Sequence, residues 1–165
     1  MMTRPPARCL LPLALRRRAR TIPRLALILI IDDDQDSRDA LAAFLGKAGH
    51  DVRCAGNGRE ALAALSDDEH VPDAALLDVR MPGMDGIAVL GVMRSYLRWA
   101  SLPVAIFTAY PEDPRLWHVA EAGVTRVFAK AKTNLDEVLE WVNDQAGRAA
   151  PAGGDADASA PQFPS

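Results

Sequence analysis

Seven consecutive aliphatic residues, Leu25 to Ile31, closed by Asp32-Asp33-Asp34, constrain the fold more than any other part of the chain. A run without polar alternation must be buried on both faces, as a strand inside a parallel sheet is. It is far too short to cross a bilayer, which takes about 20 apolar residues. A parallel strand also needs a crossover to its neighbour, so helical patterns must follow it.

They do. Leu41, Phe44, Leu45 and Ala48 fall on one face of a helix capped by Asp36 or Asp34 and ended near Gly49. Val52–Ala55 reads as a short strand, and Asn57-Gly58 turns into a helix carrying Ala61, Leu62 and Leu65. Strands are expected at Ala74–Leu77, Pro103–Phe107 and Val124–Ala129, with helices at Ile87–Leu97, near Asp113–Ala122 and at Asn134–Gln145. The last helix carries Leu135, Val138, Leu139 and Val142 on one face. Five strands alternating with five helices predict an α/β fold, a parallel sheet covered on both sides.

The charge is unevenly placed. Residues 1–24 hold seven arginines and no acid, so the other 12 basic residues face 22 acids, a balance of −10. That is a poor surface for nucleic acid, whose binding proteins neutralise phosphates. Residues 1–24 are expected to be a disordered basic leader or a start assigned too far upstream. Pro12 and the arginines after it do not suit a secretory signal. The folded unit is expected at 25–146, and the small-residue and proline-rich stretch 147–165 as a disordered tail. Cys9 and Cys54 cannot build a disulfide framework, and His50, His70 and His118 have no metal-ligand spacing.

In such sheets ligands sit beyond the carboxyl ends of the strands, near the switch in strand order. The residues there are Asp32 and Asp33, Asp78, Thr108 and Lys130. Singly, each has an ordinary explanation: a helix cap, a hydroxyl bonded to nearby backbone, a solvated surface charge. Together, three carboxylates repel one another unless a cation neutralises them, and an all-oxygen cluster suits Mg2+. Neither G-x-G-x-x-G after the first strand nor G-x-x-x-x-G-K-[ST] anywhere is present, so the dinucleotide and P-loop readings lose their main support.

Ile30-Ile31-Asp32-Asp33-Asp34, Leu77-Asp78-Val79-Arg80-Met81-Pro82-Gly83-Met84-Asp85-Gly86, Phe107-Thr108-Ala109 and Phe128-Ala129-Lys130 resemble the receiver domain of two-component response regulators. The resemblance spans residues 25–146. It implies a flavodoxin-like (βα)5 sheet in the order 2-1-3-4-5. It further implies that Asp78 accepts a phosphoryl group from a sensor histidine kinase or a His-phosphotransfer protein. Asp32, Asp33, Asp78 and the backbone carbonyl of Arg80 are expected to hold Mg2+, Lys130 to pair with the phosphoryl group, and Thr108 to turn onto it. Ala109, being small, leaves the phosphorus accessible, while Gly86 is expected to let the loop turn into the next helix. Arg80 and Tyr110 are expected to screen the acyl phosphate from water. The chain is then a cytoplasmic signalling module without a membrane span, switching an unidentified protein target, rather than an enzyme acting on a metabolite.

Two positions depart from the family pattern. Ala131 stands where proline follows the lysine in a cis peptide, and a non-proline cis bond costs about 2.5–4 kcal/mol, so Lys130–Ala131 is expected to be trans. Val127 occupies the place of the switch aromatic, which shifts transmission to the Thr108 loop and the fourth helix. Residues 147–165 are too few for a DNA-binding output domain, hence the expectation of a stand-alone receiver. The alternative is a receiver-like scaffold that binds partners without being phosphorylated. A haloacid-dehalogenase-type phosphatase ranks lower, because Arg80 stands where a second acid is needed.

Overall fold

Alternate residues of a strand point to opposite faces, so a strand buried on both sides divides its side chains between two cores. The computed structural model, which describes residues 25–66 and 71–148, shows this in three strands. These are β1 (Leu27–Ile31), β3 (Ala74–Leu77) and β4 (Val104–Thr108), flanked by β2 (Asp51–Ala55) and β5 (Val124–Ala129). All pairings are parallel, in the order β2-β1-β3-β4-β5. The fold class is therefore the expected one.

Leu29, Ile31, Leu77, Val104 and Ile106 pack on one face with α2 (Gly58–Leu65) and α3 (Gly86–Ser95). Ile28, Ile30, Leu76, Ala105 and Phe107 pack on the other with α1 (Gln35–Lys47) and α4 (Leu135–Arg148). Each fully buried Leu, Ile or Val contributes about 1.5–3 kcal/mol, so the sheet interior dominates stability. A register shift between Val104 and Ala105 changes which face β5 presents. Val124 joins the first core, while Phe128 joins the second, edge-on to Trp141. Val127 is left exposed at 40%.

The helices start where side chains replace missing backbone acceptors. The α1 cap is Asp34, which accepts from the amides of Asp36 and Ser37; Asp36, the other candidate, lies in the first turn. Asn57 and Glu60 cap α2 reciprocally, with Glu60 Oε2 accepting from Gly56 N at 2.7 Å. Asp85 caps α3. Gly86 is needed for a reason other than the expected turn, because a Cβ there would lie 2.0 Å from the carbonyl oxygen of Asp78. The last helix runs to Arg148, three residues past the expected Gln145.

One expected helix is absent. Between Asp113 and Gly123 the chain forms a 3-10 segment, Pro114–His118, and then further turns closed three residues apart. Long-range side-chain bonds hold both ends of this segment. Arg115 bonds Asp113 and Asp85 at its start. Arg94, in the last turn of α3, donates to the carbonyls of Ala122 and Gly123 at its end, and to those of Trp99 and Leu102. With Pro114 at one limit and Gly123 at φ +74° at the other, tighter turns replace a continuous α-helix. Among the described residues, four α-helices and this segment cover the sheet.

The expectations placed on residues 1–24, on His70 and on residues 149–165 lie outside the described residues. Among those described, no helix is long and apolar enough to cross a membrane.

Candidate functional site

The last rungs of the ladder set the site. Asp32 N donates to Ala55 O at 3.1 Å, Asp78 N to Ile31 O at 2.8 Å and Lys130 N to Thr108 O at 2.8 Å. Each polar residue following a strand is thereby registered against its neighbour, and all of them emerge at one edge of the sheet. One carboxylate oxygen each from Asp32, Asp33 and Asp78 lies within 4.8 Å of the others. Asp32 and Asp78 are buried, while Asp33 is exposed.

Lys130 reaches into this cluster. Its Nζ stands 2.6 Å from Asp32 Oδ2 and 2.9 Å from Asp78 Oδ2. The Lys130–Ala131 peptide is trans, as are all described peptide bonds, and the ammonium nevertheless points inward. Burial alone would lower the lysine pKa, but the two carboxylates outweigh it and the net shift is upward. The acids are held from their other sides as well. Asp32 Oδ1 accepts from Asp34 N at 3.0 Å and Oδ2 from Ser37 Oγ at 2.8 Å. Asp78 Oδ1 accepts from Val79 N at 2.6 Å.

Thr108 is fully buried, and its Oγ1 accepts from Tyr110 N at 3.1 Å, the local backbone bond foreseen as its ordinary role. Arg80 and Tyr110 come together, with the guanidinium carbon 4.0 Å from the ring centroid. Arg80 Nε also pairs with Asp113 Oδ2 at 3.1 Å. Sequence reasoning missed Asp113 and Ser37 as parts of this region. Asp113-Pro114 signals a cap, but nothing local reports a partner 33 residues away. Ser37 lies one turn into α1, where spacing from Asp32 was a usable and overlooked signal.

A cleft of about 710 Å³ opens beside Asp33, walled by Asn57, Gly58, Arg59, Pro82 and Met84. Of the three acids only Asp33 lies in its wall.

The family described as response regulator receiver domain matches residues 28–143. Sporulation initiation phosphotransferase F of Bacillus subtilis (strain 168) is 36% identical over 115 residues, 70% of this chain and 89% of that protein. Regulatory protein AtoC of Escherichia coli (strain K12) is 44% identical over 85 residues, 52% of this chain and 18% of that protein. The chain spans between 18% and 64% of the lengths of five such relatives. Among solved structures, Vibrio cholerae chemotaxis protein CheY4 superposes with a TM-score of 0.65 at 26% identity, covering 73% of this chain and 98% of that one. The response regulator protein TrrA from Thermotoga maritima, in complex with Mg(2+)-BeF, does so at 0.60 and 28%, covering 73% and 99%.

Proposed function

This chain belongs to the response regulator receiver family, and from that premise we propose that it is switched by phosphorylation of Asp78. A sensor histidine kinase or a His-phosphotransfer protein is the donor, and a protein target reads the result. The observation that carries this reading is the gathering of the Asp32, Asp33 and Asp78 carboxylates at one sheet edge, with the Lys130 ammonium bridging Asp32 and Asp78.

The donor set fits Mg2+. It is all oxygen, it carries enough negative charge for a hard dication, and the exposed side at Asp33 leaves room for the waters that Mg2+ keeps. Asp32, Asp33, Asp78 and the Arg80 carbonyl would hold the ion. Its chemistry there is to offset charge on the phosphoryl oxygens.

The chain's own groups do the rest. Backbone amides fix Asp78 Oδ1, so the carboxylate is oriented before a donor arrives. A carboxylate oxygen of Asp78 bonds to phosphorus as the donor's phosphorus–nitrogen bond breaks, and the imidazole keeps that electron pair and takes a proton from solvent. Lys130, already between Asp32 and Asp78, exchanges a carboxylate partner for a phosphoryl oxygen. Thr108 turns from the Tyr110 amide to a phosphoryl oxygen, which moves the loop after β4. Val127 offers no ring to follow that motion, so the loop and the segment after it carry the signal.

Incubation with acetyl phosphate and Mg2+, followed by mass spectrometry of the intact chain and its peptides, tests this. One phosphoryl group on the peptide containing Asp78 is expected. An unmodified chain would favour the scaffold reading, in which the same surface binds partners without chemistry.

A further inference from the structure

Asp113 has a carboxylate that the acceptor chemistry does not use, and it is 4% exposed. Its Oδ1 accepts from Arg115 N at 3.1 Å and Arg115 Nε at 3.0 Å. Its Oδ2 accepts from Arg115 Nη2 at 2.8 Å and Arg80 Nε at 3.1 Å. One buried carboxylate therefore holds two guanidinium groups, and it holds them unequally. Arg115 makes three bonds to it and is anchored again on Asp85 Oδ2 at 2.7 Å. Arg80 makes one bond, and half of its side chain is exposed. A buried carboxylate left alone would be costly, but loss of Arg80 leaves Asp113 still paired through Arg115. The Arg80 contact is the exchangeable half of the cluster.

Arg80 is also the cation closest in sequence to the acceptor. Its backbone amide lies 3.4 Å from Asp78 Oδ1, and its guanidinium rests on the Tyr110 ring. Arginine binds phosphoryl oxygens in a fork, and a free cation beside the site would draw in an anionic donor. Paired with Asp113, it presents little net charge.

We propose that Asp113 is a positioning residue for phosphoryl transfer: it holds Arg80 on Tyr110 and withholds that cation from an incoming anionic phosphodonor. The inference rests on the reading of Asp78 as acceptor. Formation of the acyl phosphate then offers Arg80 a second anion, and Asp113 releases it without being orphaned. The 3-10 segment that begins at Pro114 is tied to the same carboxylate, so the exchange couples the acceptor to that segment.

Asp113→Asn keeps an oxygen for the Arg115 amide while removing the charge. With full-length chain, acetyl phosphate, fixed Mg2+ and low salt, labelling is expected to accelerate about threefold or more, a gain that shrinks as salt is added. In an Arg80→Ala background the same substitution should change the rate less than about twofold, because the cation it frees is gone. A purely structural role for Asp113 would give the same change in both backgrounds. Should Asp113→Asn not fold, Tyr110→Leu at a half-exposed position removes the ring under Arg80 and should also accelerate labelling, again only when Arg80 is present. Labelling that is unchanged or slower, or a gain equal in both backgrounds, overturns the role of Asp113 while leaving Asp78 as acceptor. No label on Asp78 in the wild-type chain overturns both.

Discussion

Arg94→Met would test whether one guanidinium holds the α3 end of the domain together. Methionine keeps much of the apolar stem and removes the donors, so the change isolates the hydrogen bonds. Arg94 donates to four carbonyls, those of Trp99, Leu102, Ala122 and Gly123, and only the bond to Gly123 is exposed. Charge-assisted bonds contribute about 1.5–3 kcal/mol when fully buried, and partial exposure brings the three others to about 1 kcal/mol each. Burial lowers the arginine pKa, a sign of desolvation that is recovered when the charge leaves, and this offsets part of that sum. The expected net loss is about 2 kcal/mol. With a urea m-value of about 2 kcal/mol/M, the unfolding midpoint should fall by about 1 M at unchanged m. Lysine supplies one donor cluster on a flexible stem instead of a fork, so Arg94→Lys should recover no more than about a third of the loss. A midpoint shift below about 0.3 M for the methionine variant, or full recovery by lysine, would refute the claim that the geometry of the fork matters.

Four further outcomes are expected. Asp78→Asn should abolish labelling by a phosphodonor while circular dichroism and melting temperature show an intact fold; labelling at the wild-type rate would move the acceptor elsewhere. Mg2+ should stabilise chelator-treated protein by about 2.7 kcal/mol at a hundredfold excess over Kd, and Asp33→Ala should blunt that rise; a flat melting temperature through a millimolar titration would count against a metal site. Replacing Arg80 and Tyr110 together by alanine should shorten the half-life of the phosphorylated chain at fixed Mg2+, since the stacked pair links the loop after β3 to the loop after β4; decay at an equal or slower rate would remove them as a screen. The Arg115 side chain and amide, with Arg80, hold the Asp113 carboxyl far below its ordinary range, so its contribution is complete above about pH 4 and is lost as pH falls further; stability measured between pH 6 and pH 2 should be flatter in Asp113→Asn.

The strands were readable because β1, β3 and β4 are continuous aliphatic runs, and a run buried on both faces leaves little choice of structure or neighbours. The residues gathered at the sheet edge were readable for the same reason: each follows a strand directly, so topology alone carries them to one place. Local rules failed where several residues could meet the same need. Asp34 and Asp36 are both competent caps, and the structure selects Asp34, whose side chain accepts from the amides of Asp36 and Ser37. The missing helix after β4 has another cause. Its pattern suits a helix, but Arg94 reaches it from α3 and its own Arg115 reaches out to Asp85, contacts that no window of neighbouring residues reports. Gly86 was read as a turn former, whereas the nearby Asp78 carbonyl is what excludes a side chain. The exposure of Val127 beside the burial of Phe128 likewise needed the β5 register, which shifts in mid-sheet.

The turns from Pro114 to Gly123 have a consequence for how the domain breathes. Bonds such as Leu116 N to Asp113 O at 2.9 Å and Val119 N to Leu116 O at 3.3 Å close single turns, and breaking one does not require its neighbours to break. Amides in β1 and β3 lie in the centre of the sheet and are released only when the whole domain opens. Hydrogen exchange should therefore divide the molecule into a slow centre and a fast patch carrying Trp117, a residue 75% exposed. That patch is where a change at the carboxylate edge of the sheet can alter the surface at the least cost to the rest of the fold.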